Sequence, residues 1–257
     1  MAVGSVALPD RPLSVGELLD AAVELLRTRA KPLIGIGLIL ALLEQGALAP
    51  LWAARQPFWE APTSYLPWLA CGLGFESLAI GLLAGYAGRA ARISLGGTPG
   101  GIAAPVLTAV LVAVTAAVSS LLFGVPWLVA YALLGFAVPV AVIDRTGNSF
   151  GRSARLVLAG SLRAGMIRLL GYCAWLGIRL AFALAAKTLL DQVFDLTDPL
   201  YVAAIWALIN GIAYPALACL DVVAHLENRI RVEGLDVELG RARATGRPAD
   251  DVLRAGR

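Results

Sequence analysis

The sequence predicts an all-α polytopic membrane bundle of six transmembrane helices with both termini cytoplasmic. Three observations predict it. Hydrophobic residues make up 59% of the 257-residue chain and charged residues only 15%, with a mean hydropathy of +0.77. A soluble domain carries roughly 45–50% apolar and about 25% charged residues. The apolar excess is gathered into six runs, 32–54, 67–88, 102–123, 125–143, 166–190 and 200–224. Each is near the roughly 20 helical residues needed to cross a hydrocarbon core of about 30 Å. Finally, 18 of the 21 Lys and Arg residues fall on one side of those runs. The runs are rich in Leu, Ala and Gly, without the ten-residue alternation of a barrel strand, so helices are expected.

The organisation follows: a cytoplasmic N-terminal segment 1–31, a transmembrane domain 32–224 and a cytoplasmic tail 225–257. Asp10, Glu17, Asp20 and Glu24 break up any signal-peptide core near the start. Ser14-Val15-Gly16-Glu17 reads as a capping box, with Leu13 and Leu18 placed as a hydrophobic staple. Val15, Leu18, Leu19, Ala22 and Leu26 then recur at helical spacing, giving an amphipathic helix before span one. It is expected in the headgroup region or against the loops of its own bundle, with Pro32 ending it and opening the span.

Span one exits to a rim carrying Arg55, Glu60, Trp52, Trp59, Tyr65 and Trp68, as interfacial aromatics should. Span two returns to Arg89 and Arg92, and Gly96 to Gly101 reads as a flexible turn lacking the Lys of a phosphate loop. Spans three and four follow, with Pro126, Pro139 and Pro215 expected to kink helices. After span four, Ser149 to Arg163 forms a second amphipathic helix, with Arg152, Arg155 and Arg163 on one face. Phe150, Ala154, Val157, Leu158 and Ser161 take the other. Those arginines read as a lipid-surface basic patch, either a sensor of anionic lipid or an anchor that orients span five. Span five ends at Lys187 and Asp191, with Asp195 and Asp198 beyond it, and span six leads to a tail with seven arginines. The arginine side is therefore the cytoplasmic one.

The two helix-plus-span units align at an offset of 135 residues, placing Ser14 on Ser149 and Glu44 on Arg179, as a parallel duplication would. Glu44, Glu76 and Arg179 lie near mid-span, where a charge costs about 2.5–3.5 kcal/mol and so faces the bundle with a partner. Glu44 and Arg179 are expected to meet, with Glu76 as a second acceptor or a protonated acid. This cluster reads either as a binding site for an ion, proton or lipid headgroup, or as glue between helices. Asp221 is a further polar residue at the cytoplasmic end of span six, and Asn210, Ser119 and Ser120 read as interhelical hydrogen bonders.

Cys71, Cys173 and Cys219 are too scattered for a metal or disulfide framework and read as small buried residues. The lone His225 has no ligand cluster around it, no catalytic motif is present, and neither a cofactor nor a metal is expected. The 19 Arg and two Lys fit a GC-rich genome, and their spread along one membrane face argues against nucleic acid as a partner.

The segment Phe136 to Arg145, followed by Arg152-Ser153, Leu156-Val157 and Gly160, resembles bacterial integral membrane proteins related to the membrane domain of glycerophosphodiester phosphodiesterases. Arg11-Pro12-Leu13-Ser14 with Gly16 to Asp20 is similar to their N-terminus, and Asn228 to Asp236 to their exit helix, which more often shows Asp where this chain has Glu227-Asn228. The resemblance implies a helical module of the bacterial inner membrane without catalysis, since the namesake activity resides in a soluble domain absent from these residues. Two functions are expected. One is a non-enzymatic scaffold or subunit of an envelope complex, with lipids and other subunits, or copies of itself, as partners. The other is a small permease or lipid-handling protein built on Glu44, Glu76 and Arg179, for which a cavity reaching those residues would speak.

Overall fold

A computed structural model describes residues 8–52, 62–122, 124–193, 195 and 198–254. Among them all regular structure is helical, and six helices are long and apolar enough to cross a membrane. That is the architecture of a multi-pass membrane protein. Arg55, Trp59 and Glu60 of the expected rim lie outside the described residues, as does the side chain of Trp52.

Helix α1 (Val15–Thr28) opens with the capping box: the Ser14 amide donates to Glu17 Oε2 (2.8 Å) and the Glu17 amide to the Ser14 hydroxyl (3.3 Å). Leu18, Ala22 and Leu25 point inward while Val15, Leu19 and Val23 stay exposed, so α1 packs along the last spanning helix. The chain turns at Arg29 and starts α2 (Ala30–Trp52), ahead of Pro32, which sits in the first turn where it displaces no hydrogen bond. Helix α3 (Leu66–Ser94) returns, and α4 (Ala103–Ser120) packs closely against it through small residues: a Cβ on Gly81 would lie 3.0 Å from that of Ala109.

The fourth crossing is broken. Helix α5 (Val125–Leu134) begins with Pro126 in its first turn, so this proline starts a helix rather than kinking one. A short α6 (Ala137–Pro139) passes into a π-helical turn, Val140–Asp144, closed by the Arg145 amide on the Val140 carbonyl (3.1 Å). Pro139 explains the change: it has no amide to donate, and the wider turn that follows carries Asp144 fully inward.

Helix α7 (Ser149–Ala159) is capped by Asn148, whose side chain accepts from the Gly151 amide (2.9 Å). Ser149 is therefore inside the helix, one position off the role Ser14 plays in α1, and the suggested duplication loses its best-matched residue. The inward face of α7 is Ser149, Ser153, Leu156 and Val157, while Leu158, expected inward, is 58% exposed. Ser161 and Leu162 at positive φ turn the chain into α8 (Arg163–Val193).

Helix α9 (Pro199–Glu233) is the axis of the bundle, in contact with α1, α2, α3, α7 and α8. It runs unbroken through Pro215 and past the expected end of span six. The tail then folds back as α10 (Leu235–Thr245) and α11 (Ala249–Leu253), with Leu235, Leu239, Val252 and Leu253 in the core. Large apolar side chains such as Ile39, Leu42, Leu107, Leu170 and Leu184 are left outside, where hydrocarbon is the solvent.

Close backbone approach between α2 and α9 depends on glycine. A Cβ on Gly37 would sit 2.8 Å from the Gly211 carbonyl oxygen and 2.8 Å from Pro215 Cγ, whereas one on Gly35 meets nothing within 4 Å. Gly37→Ala is expected to destabilise by about 1–3 kcal/mol through overpacking. Gly35→Ala should be neutral or better, since alanine costs less helix entropy than glycine by roughly 0.5–1 kcal/mol. Melting temperatures of the two variants in detergent check this, and equal values would refute the packing argument.

The tail is pinned rather than free. Asp250 pairs with Arg92 Nη2 (2.7 Å) and accepts from the Thr98 amide (2.8 Å) and hydroxyl. Arg92 Nε and Arg145 donate to the Thr98 carbonyl, and Arg89 to that of Gly100, so the turn expected to be flexible is held from three sides. Partial burial opposes ionisation of Asp250, but the Thr98 bonds and the Arg92 charge outweigh it and bring the carboxyl down to about 2. A depressed acid stabilises above its unfolded value of about 3.9 and loses that contribution as pH falls through the folded value. Protection factors for hydrogen exchange over α10 and α11 should therefore hold from pH 7 to about 4 and fall only towards pH 2. Asp250→Asn should exchange fast throughout; slow exchange in that variant would show the carboxylate to be dispensable.

Candidate functional site

Three of the sequence-predicted residues converge in the bundle interior, together with three the sequence reading had not joined to them. The Arg179 Nη1 donates to Glu76 Oε1 (2.6 Å) and to Asn210 Oδ1 (3.4 Å). The Tyr172 hydroxyl donates to Glu76 Oε2 (3.0 Å). Asn210 Nδ2 donates to Glu44 Oε2 (3.2 Å) and to the Tyr214 hydroxyl (2.8 Å), which itself donates to Glu44. Glu44 comes from α2, Glu76 from α3, Tyr172 and Arg179 from α8, and Asn210 and Tyr214 from α9. The rings of Tyr172 and Tyr214 flank the guanidinium at 5.3 and 5.9 Å, a cation–π arrangement in a water-poor place.

The pairing differs from the sequence expectation. Arg179 neutralises Glu76, while among the described residues Glu44 is reached only through neutral donors. The reason is that α8 packs on α9, so Asn210 stands between Arg179 and the acid on α2.

These six side chains line one cavity of about 650 Å³, within the roughly 300–1,000 Å³ typical of small-molecule sites. Its walls are Leu48, Leu69, Leu73, Leu176, Trp68, Trp127 and Trp206, with Tyr65 near the start of α3. Tyr65 and Trp68, expected as rim aromatics, are thus part of this wall. The lining residues come from the second half of α2 and the first halves of α3 and α9, so the cavity lies away from the termini. Several polar atoms of the lining residues have no partner among the described residues: Arg179 Nε and Nη2, Gln45 Oε1 and Trp127 Nε1.

The arginine-rich end is a second polar assembly. Asp221, expected as an isolated polar residue, is clamped by Arg168 through Nε (2.5 Å) and Nη2 (2.9 Å), and Arg168 also donates to the Tyr131 carbonyl. Arg152 binds Asp144 (2.5 Å) and Glu233 (2.9 Å), and Arg163 binds Glu227 (2.9 Å) and the Leu13 carbonyl (3.1 Å). These two arginines are therefore engaged in ties within the chain; of the three expected at the lipid surface, Arg155 alone is exposed and outside the ion pairs found among the described residues. The ties have a simple cause. Helix α7 packs against the π-helical turn and α9, so Arg152 meets Asp144 and Glu233, while Arg163 at the start of α8 meets Glu227 on α9. His225 is fully buried on Asp144 (3.0 Å), and of the three cysteines only Cys219 is buried, Cys173 being exposed to the outside of the bundle.

Helices α8 and α9 carry these groups in register. Arg163 faces Glu227, Arg168 faces Asp221, and Arg179 faces Asn210. The last two rungs are eleven residues apart on both helices, about three turns, running in opposite directions as antiparallel neighbours must.

No family model, curated protein or solved structure matches the chain. Fold and site together define its class: a multi-pass helical membrane protein with a charged cluster on the wall of an intramembrane cavity.

Proposed function

We propose that the chain is a non-enzymatic ligand-handling membrane protein, a small permease or lipid-handling protein, with Glu44, Glu76 and Arg179 as its site. The cavity of about 650 Å³ that reaches all three residues carries this reading. Pure interhelical glue would be enclosed by packed side chains, and would not leave buried donors such as Arg179 Nε and Nη2 unpaired.

The competing scaffold reading loses the surfaces it needs. Arg92, Arg145, Arg152, Arg163, Arg168, Arg229 and Arg231 are all spent on bonds within the chain, and the tail is docked. Arg155, Arg241, Arg243 and Arg247 remain exposed, and anionic lipid is the partner that suits them. The one-sided arginine distribution supports cytoplasmic termini, which directs the cavity to the outer half of the bilayer. The resemblance to the membrane domain of glycerophosphodiester phosphodiesterases fits this reading, as a bacterial inner-membrane module that handles its ligand without chemistry.

Native mass spectrometry of the purified chain tests it. A small molecule or lipid held in fixed ratio is expected, and Gly72→Trp should displace it. Gly72 lines the cavity, a Cβ there would have Leu48 Cδ1 at 3.8 Å as its nearest neighbour, and Gly72 is not itself part of the polar cluster. A chain that carries no ligand but copurifies with another protein in fixed ratio would overturn the proposal in favour of a scaffold.

A further inference from the structure

If the cavity is a ligand site, as that reading holds, one unfilled guanidinium edge and one unmatched charge in it define the ligand's chemistry. Arg179 is 3% exposed, yet its Nε and Nη2 have no partner among the described residues. These two nitrogens form one edge of the guanidinium fork, whose parallel N–H groups fit a carboxylate or phosphate. Arg168, on the same helix, shows what that edge takes: its Nε and Nη2 hold the two oxygens of Asp221 at 2.5 and 2.9 Å. In Arg179 the corresponding edge is unfilled, because Glu76 and Asn210 both use Nη1.

Glu44 is the unmatched charge. It is 5% exposed, and among the described residues it forms no ion pair, receiving only the Tyr214 and Asn210 hydrogen bonds. Since Glu76 already answers Arg179, the ionised cluster holds one surplus negative charge. An anion on Arg179 alone would add to that surplus. A cation on Glu44 alone would leave the Arg179 edge unused. A ligand carrying both charges satisfies each, and the Asn210 carboxamide, bonded to both residues, marks the short distance that separates them. Above the cluster, Trp68, Leu73 and Trp206 offer only apolar surface, apart from the indole N–H groups.

We propose that the cavity binds an amphipathic zwitterion, its oxyanion on the Nε and Nη2 of Arg179, its ammonium on Glu44 and its hydrocarbon against the Trp and Leu walls. A phosphoethanolamine lipid headgroup and a free amino acid with a large apolar side chain share this chemistry.

Calorimetric titration of the full chain in detergent separates the outcomes, with dihexanoyl phosphatidylethanolamine, dihexanoyl phosphatidylglycerol and L-phenylalanine as probes. At least one zwitterion should bind tenfold or more tightly than the phosphatidylglycerol, and which one does so identifies the source. Glu44→Gln keeps the shape and the Tyr214 hydrogen bond; it should cost the zwitterion at least tenfold and leave the phosphatidylglycerol unchanged. Arg179→Lys, which keeps the charge and loses the fork edge, should weaken all three. Phosphatidylglycerol binding as tightly as either zwitterion, indifference to Glu44→Gln, or no binding by any probe would each overturn the inference. In all three cases a native ligand displaced by Gly72→Trp would leave the cavity reading standing, and absence of that ligand would remove both.

Discussion

Replacing Asp144 with alanine is expected to cost about 3–5 kcal/mol and to loosen the whole arginine-rich end of the molecule. Asp144 is fully buried and is shared by three partners: Arg152 Nε (2.5 Å), Arg229 Nη1 (3.0 Å) and His225 Nε2 (3.0 Å). Its removal leaves Arg229, 3% exposed, and Arg152 with Glu233 as their remaining common acid. Stranding a buried charge is far costlier than never having built the pair, because the desolvation penalty stays while the attraction goes. A loss of that size is a large share of the roughly 5–15 kcal/mol that holds a domain together. The damage should spread to the tail, since Arg229 also donates to the Leu253 carbonyl (3.1 Å). Asp144→Asn, which keeps the shape and one acceptor oxygen but loses the charge and turns a donor NH2 toward the arginines, should fall between wild type and Asp144→Ala. Melting temperature in detergent and hydrogen exchange over α11 measure both effects. A wild-type melt for Asp144→Ala would show that the three partners do not depend on this carboxylate.

The same residue shows where the sequence was legible and where it was not. Six spans, the helix at 15–28 and its Ser14 cap follow from local rules: hydropathy over twenty residues, and one hydroxyl three positions before one glutamate. Asp144 enters the sequence only as part of the segment Phe136 to Arg145, because nothing local announces that Pro139 will open a π-helical turn and rotate the acid inward. Arg152, Arg163 and Arg168 were read by their distance from hydrocarbon, which says nothing about which neighbour they meet.

The site was half readable. Depth in a span marked Glu44, Glu76 and Arg179, but partner choice depends on which helices are adjacent. A usable signal was present all the same. Arg168, Tyr172 and Arg179 fall on one stripe of α8, and Asn210, Tyr214 and Asp221 on one stripe of α9, with matching spacing. Two polar stripes of opposite direction and equal pitch are what antiparallel neighbours require. The 135-residue offset, by contrast, placed Glu44 and Arg179 at equal depth and suggested a pairing that α9 blocks by inserting Asn210.

Charge reversal distinguishes these two pairings, and its effect should be among the largest any single substitution has here. Arg179→Glu would put three carboxylates around one cavity wall, where even one unpaired charge costs about 2.5–3.5 kcal/mol on insertion scales and breaking a buried pair about 3–5 kcal/mol. Folded protein should be nearly absent on size exclusion. Adding Glu76→Arg restores the pair with its polarity reversed, since the two side chains face each other across α3 and α8 at 2.6 Å. Adding Glu44→Arg should restore much less, because that position is separated from residue 179 by the Asn210 side chain. The Arg179→Leu and Glu76→Leu double variant should fold better than either single one, as apolar replacement of a whole buried pair is often neutral. Rescue by Glu44→Arg equal to that by Glu76→Arg would refute the pairing. Ligand retention then tells site from glue: the swapped pair keeps the attraction but moves the guanidinium from α8 to α3, off the position from which it faces Asn210. A folded swap variant that has lost its ligand supports a site, and one that keeps it would return the cluster to a purely structural role.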